Sequence, residues 1–81
     1  MSDEYKRLLA WAKETSRDVK VNGQSNTWSI AVSIKVPVAF DAFAGGSTLD
    51  EAAERVIEQL ESVSGGKLED IGEDPSSFGI A

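Results

Sequence analysis

The 81-residue chain contains no cysteine and no histidine, and it has only two prolines. Without cysteine there is no disulfide framework and no thiolate metal site, and without histidine the usual imidazole ligand and general base are missing. No apolar run approaches the roughly 20 residues needed to cross a bilayer. These absences leave side-chain packing to stabilise the fold, and they predict a protein with no cofactor and no bound metal.

Length and composition are those of one small domain. The chain is 41% apolar and 27% charged, and a chain of this size buries roughly 60% of the surface that it exposes when unfolded. Asp3 and Glu4 open a mixed amphipathic stretch, which lacks the basic and then apolar build of a secretory signal. We therefore expect a cytoplasmic protein.

The net charge of -6 is concentrated in the last third of the chain. Residues 1–26 carry five basic and four acidic side chains, a balance of +1, and Lys35 cancels Asp41. From Thr48 onward, nine acidic side chains oppose only two basic ones, a balance of -7. Such a field repels phosphate backbones and attracts basic protein surfaces. We therefore expect a basic protein partner, no direct contact with nucleic acid and no membrane partner.

The first half of the chain predicts a helix followed by a β-hairpin. Apolar side chains recur at helical spacing over residues 5–12, which indicates a helix of about three turns that ends near Thr15. Asn22-Gly23 is the strongest short signal for a type I′ turn and would place Val21 opposite Gln24. The core face of the next strand would carry Trp28, Ile30, Val32, Ile34 and Val36.

The second half predicts a short third strand and a second helix. Residues 37–40 begin with a proline, which cannot donate to a ladder, so we expect a loop there and then a strand that carries Phe43 inward. Gly45-Gly46 breaks the chain before Thr48, which can act as an N-cap with Glu51 three residues later. The apolar stripe of this helix comprises Leu49, Ala52, Ala53, Val56, Ile57, Leu60 and Val63.

These elements predict an α+β domain over residues 1–66, in which a small three-stranded antiparallel sheet packs against two helices in the order α-β-β-β-α. Residues 67–81 form an acidic C-terminal tail with no periodicity, which we expect to be partly mobile. Four of its side chains are nevertheless too apolar for a purely solvating tail: Leu68, Ile71, Phe78 and Ile80. The sequence therefore does not decide whether the tail docks on the core.

The order of elements resembles that of the double-stranded RNA-binding domain. In that family, the second helix begins with a lysine-rich segment that grips phosphates. The matching segment here, residues 48–54, carries acidic side chains in place of the lysines. The resemblance therefore implies a shared topology without the RNA-binding function.

A closer resemblance is to the N-terminal domain of HicB-type antitoxins, in which a strand ending in Val-Pro and a later glycine precede a helix that starts Thr-Leu-x-Glu-Ala. Val36-Pro37, Gly46 and residues 48–52 fit this pattern, and the resemblance covers about residues 17–64. Residues 40–42 replace the family's Pro-Gly-Cys group, and no DNA-binding module follows the helix. These antitoxins bind and silence a small basic ribonuclease toxin, so the resemblance implies a neutralising or sequestering module.

A search for catalytic groups finds no complete set. With no histidine, a serine nucleophile would need lysine or a carboxylate as its base, and no oxyanion motif lies nearby. The carboxylate pairs Asp50/Glu54 and Glu69/Asp70 fit a solvated helix face and an acidic tail better than a catalytic or cation-binding site. Residues 45–48 lack the lysine and the spacing of a P-loop. We therefore predict that the protein is not an enzyme.

Three features are candidates for contact with a partner. Acidic side chains recur along one stripe of the second helix, at Asp50, Glu54, Glu58 and Glu61. This stripe is either a solubilising face or a surface that imitates the spaced charges of nucleic acid. Trp11 flanks the apolar stripe of the first helix and Phe40 follows the proline, so each is either core or an exposed anchor. An open edge at the short last strand is the third candidate.

Together these features predict a non-enzymatic protein-binding inhibitor that neutralises or sequesters a basic, nucleic-acid-handling protein through its acidic surface, in the style of a HicB-type antitoxin. One alternative is a phage or mobile-element anti-defence protein, such as an anti-CRISPR inhibitor. A second alternative is a small structural homodimer.

Overall fold

A computed structural model of the chain describes residues 3–35 and 38–73. Its elements confirm the predicted α+β class and the order α-β-β-β-α. The elements are α1 (Glu4–Glu14), β1 (Lys20–Gln24), β2 (Thr27–Ile34), β3 (Phe40–Gly46) and α2 (Leu49–Ser64), followed by a 3₁₀ turn over Leu68–Asp70. Within the described ranges, no helix has the length and hydrophobicity required to span a membrane.

The sheet is antiparallel with β2 in the centre, and the described helices cover one of its faces. α2 packs against β2 and β3, and α1 packs against α2. One core therefore joins the inner face of the sheet to both helices. Its buried members are Leu8, Trp11, Ala12, Ile30, Val32, Ile34, Ala42, Ala44, Ala52, Ala53, Val56, Ile57, Leu60, Leu68 and Ile71.

α2 begins at the predicted N-cap and ends at a glycine. The Thr48 hydroxyl accepts a hydrogen bond from the backbone N–H of Glu51 at 3.0 Å, and Gly65 ends the helix with a left-handed φ of 75°. The Glu51 carboxylate accepts from the backbone N–H of Ser47 at 2.7 Å, so the return bond of the capping motif reaches one residue further back than expected. This bond also lowers the pKa of Glu51.

The predicted turn at Asn22-Gly23 is wrong. Both residues lie within β1, where Gly23 is opposite Trp28, and the turn lies at Ser25-Asn26, with Asn26 at a φ of 63°. Gly23 is required because the ring of Trp28 occupies the space of a side chain at that position. Trp28 itself is 36% exposed and is not the core residue that its alternation predicts.

The predicted register of β3 is also wrong. Ala42 is opposite Val32 on the core face, and Phe43 is on the outer face, where it is 62% exposed. The strand runs from Phe40 to Gly46. Gly45-Gly46 are therefore its last two residues and do not form the predicted break before α2. A shift of one residue moves every side chain of a strand to the other face, and here it brings two small alanines against α2.

The folded unit continues beyond residue 66. Leu68 and Ile71 are buried, so this first part of the predicted tail docks on the core. The remaining predictions made for Val36, Pro37, Phe78 and Ile80 concern positions outside the described residues.

Candidate functional site

The predicted acidic stripe of α2 is divided in two by its surroundings. Asp50 accepts a hydrogen bond from the backbone N–H of Tyr5 at 3.1 Å. Glu61 accepts from Arg7 at 2.9 Å and from the backbone N–H of Leu68 at 2.8 Å. These two carboxylates therefore hold α1 and the 3₁₀ turn against α2, so one oxygen of each is already engaged within the fold.

Glu54 and Glu58 form the free part of the stripe. Both are exposed, and they lie one turn apart on α2. Neither makes a hydrogen bond or an ion pair to another described residue. They are the two predicted site residues whose charge is fully available to a partner.

Arg7 neutralises much of the remaining acidic surface near α1. Its guanidinium makes two bonds to Glu69, of 2.7 and 2.9 Å, besides its bond to Glu61. The bonds to Arg7 lower the pKa of Glu69 from 4.5 to about 2, and the bonds to Glu69 raise the pKa of Arg7. The two negative charges that Glu61 and Glu69 contribute to the C-terminal third are thus partly offset by the one positive charge of Arg7.

A groove of about 590 Å³ runs between α2 and β3. Glu58 lines it from the helix side and Phe43 from the strand side, where the Phe43 backbone faces α2 and its 62% exposed ring lies on the outer face of the sheet. Phe40, one of the predicted anchors, also lines this groove but is half-buried and packs against the core. An exposed aromatic residue and a free carboxylate therefore lie at the same surface, one on each of the two elements that form the groove.

The outer edge of β3 is covered by side chains of α2. The amide of Gln59 accepts from the backbone N–H of Phe43 at 3.2 Å and donates to its carbonyl at 2.9 Å. Arg55 donates to the carbonyl of Gly45 at 2.6 Å. The open edge predicted at the last strand is therefore closed at these two residues.

Sequence reasoning missed the roles of Phe43, Gln59 and Arg55. The signal for the two polar residues is their i, i+4 spacing beside the apolar stripe of α2, which places them along one flank of the helix. The register of β3 decides which of its backbone groups face this flank, and it also decides on which face of the sheet Phe43 lies.

Trp11 belongs to the core and is not an exposed anchor. It is 4% exposed, and its indole N–H donates to the carbonyl of Ile71 at 2.9 Å. The guanidinium of Arg17 stacks over its ring at 4.7 Å and donates to the carbonyl of Gly72. Trp11 therefore anchors the segment after α2 instead of offering a surface to a partner.

Among the described residues, no three acidic side chains are grouped as metal ligands would be. No protein-family model matches the chain, and no curated protein or solved structure is significantly similar to it. The resemblances to HicB-type antitoxins and to the double-stranded RNA-binding domain therefore stay predictions.

Proposed function

We propose that the chain is a non-enzymatic protein-binding inhibitor that captures a basic, nucleic-acid-handling protein. Its contact surface is the α2–β3 groove with the two free acids of α2, Glu54 and Glu58, and the exposed ring of Phe43. The observation that carries this proposal is the position of Phe43, 62% exposed, on the same groove as Glu58.

The two kinds of side chain have different tasks in this interaction. Exposed carboxylates attract a basic surface over a distance and set its orientation. An aromatic ring that becomes buried when the partner binds supplies most of the binding free energy. Glu54 and Glu58 have no internal partner in the described residues, so a basic partner gains their charge without disrupting the fold.

In the antitoxin form of this function, the captured protein is a small basic ribonuclease. An anti-defence inhibitor of a nuclease would present the same surface chemistry, since both targets bind phosphate backbones with basic grooves. The identity of the captured protein separates the two forms.

The experiment is affinity capture from the native host lysate at low and high salt, with four versions of the chain. The test variant carries Glu54→Lys and Glu58→Lys. The control carries Glu14→Lys and Asp18→Lys, two exposed acids elsewhere, so that both proteins change net charge equally, by +2 at each of two positions. A Phe43→Thr variant examines the apolar contact, and the unmodified chain is the reference.

We expect the unmodified chain and the control to retain a basic nucleic-acid-handling protein at low salt, and high salt to weaken its capture because exposed charge pairs are screened. The Glu54/Glu58 and Phe43 variants should lose it. Equal capture by all four proteins, or capture that is insensitive to salt, would contradict the proposed surface.

A further inference from the structure

The two edges of the sheet differ. At the edge of β3, Gln59 and Arg55 bond to backbone groups of Phe43 and Gly45. All five residues of β1, Lys20–Gln24, are exposed, and no described strand pairs with the outer edge of β1. An uncovered edge of this kind is a template for pairing with another strand.

The backbone groups that point out from β1 follow from the opposite edge. The N–H and C=O of Phe43 bond to Gln59 and so point away from β2, which makes Phe43 and Ala31 a non-hydrogen-bonded pair. The N–H and C=O of Ala31 therefore point away from β3 and towards Lys20 in β1. Along β1, residues alternate between pointing these groups towards β2 and away from it. By the same alternation, the N–H and C=O of Val21 and Gly23 point outward.

We propose that β1 pairs with β1 of a second copy of the chain, antiparallel and about a two-fold axis at Asn22. In this register the five residues of each strand overlap completely, and Val21 lies opposite Gly23 of the second copy. Both of these residues have outward N–H and C=O groups, so four backbone hydrogen bonds form. The two three-stranded sheets become one sheet of six strands.

The side chains along β1 suit this self-pairing. The ring of Trp28 already lies over Gly23, and Val21 of the second copy would lie beside that glycine on the same face. Trp28 and Val21 are 36% and 38% exposed, so each would cover the other. Lys20 would lie opposite Gln24, which avoids a pair of like charges.

The location also separates dimer formation from partner capture. β1 and β3 are opposite edges of the sheet, so the groove of α2 stays free in the dimer. The acidic excess of the chain lies after residue 47, away from the β1 sequence. Two strands of five residues bury less area than the roughly 1,200 Å² of a stable interface, so we expect a dimer that forms at high protein concentration.

The test uses single-cysteine variants, since the native chain has no cysteine. In Asn22→Cys, the two Cα atoms at the axis would be about 4.5 Å apart, within the range of a disulfide. In the control, Lys20→Cys, they would be roughly 13 Å apart, because each lies two residues from the axis on the same face. Mixing Lys20→Cys with Gln24→Cys brings the two thiols opposite each other again.

We expect Asn22→Cys to form a disulfide dimer under mild oxidation at least tenfold faster than Lys20→Cys alone, and the mixture with Gln24→Cys to regain the fast rate. Sedimentation of the unmodified chain should show a mass that rises from 8.7 kDa towards twice that value as concentration increases. Equal oxidation rates for Asn22→Cys and Lys20→Cys would overturn the proposed register. A constant monomer mass up to millimolar concentration would overturn the dimer.

Discussion

The indole ring of Trp28 lies over Gly23 of the neighbouring strand, so closely that a Cβ atom at residue 23 would fall 2.5 Å from the ring carbon Cζ3. We expect Gly23→Ala to displace the ring and to lower the free energy of unfolding by about 1–3 kcal/mol, as overpacked sites do. In a Trp28→Ala background the obstacle is gone, so the same substitution should cost little.

Urea denaturation of the native chain, the two single variants and the double variant measures this coupling as a double-mutant cycle. A cost of Gly23→Ala that is the same with and without the ring would show that the close approach is not what requires glycine.

Leu68 tests whether the segment after α2 belongs to the folded domain. Its side chain is fully buried, and we expect Leu68→Ala to lower the free energy of unfolding by about 2–5 kcal/mol through lost burial and a cavity. The adjacent Lys67 is exposed, so Lys67→Ala is the matched control and should change little. Denaturant titration measures both. Similar stabilities of the two variants would return the domain boundary to residue 66.

The Arg7–Glu69 pair predicts a specific loss of stability in acid. The pKa of Glu69 is lowered from 4.5 to about 2 by its bonds to Arg7, so the pair stabilises the protein above about pH 5 and its contribution is lost as the pH falls towards 2. The Glu69 side chain is 55% exposed, which limits the contribution to about 1 kcal/mol or less.

Glu69→Gln should therefore lower stability near neutral pH and make it fall less steeply in acid than in the native chain. Glu58→Gln, at an exposed carboxylate with no bonded partner among the described residues, is the control and should keep the native pH dependence. Unfolding midpoints in urea at several pH values between about 6 and 3 supply the comparison. Parallel curves for the native chain and Glu69→Gln would contradict the pairing.

The helices and the order of the elements could be predicted from local signals. The cap at Thr48, the apolar stripe of α2 and the final Gly65 act within a few residues of one another, so the sequence specifies them directly. The hairpin could not be placed in this way. Asn22-Gly23 has the ideal composition of a tight turn, but the contact between Gly23 and Trp28 outweighs that local preference.

The candidate site could be predicted only in part, for a related reason. The helical spacing identifies the stripe of acids. The residues that bond to Asp50 and Glu61, however, are Tyr5 and Arg7 of α1, which lie 45 and 54 residues away in sequence. Which acids stay free is therefore decided by helix packing, and the repeat itself carries no information about it.

The register of β3 gives the sharpest contrast between sequence and structure. With Phe43 outward and Ala42 inward, Phe43→Thr removes an exposed ring and introduces a residue that suits a strand, so the free energy of unfolding should change by less than about 0.5 kcal/mol. Ala42→Leu adds bulk at a position that is 1% exposed, opposite Val32, and should cost about 1–3 kcal/mol.

The register predicted from sequence reverses both results, because Phe43 would then be a core aromatic whose truncation costs about 3–5 kcal/mol. Denaturant titration of the two variants distinguishes these registers without reference to function. The same Phe43→Thr protein is then the folded control for partner capture. Its loss of binding can be assigned to the missing ring only if its stability is close to that of the native chain.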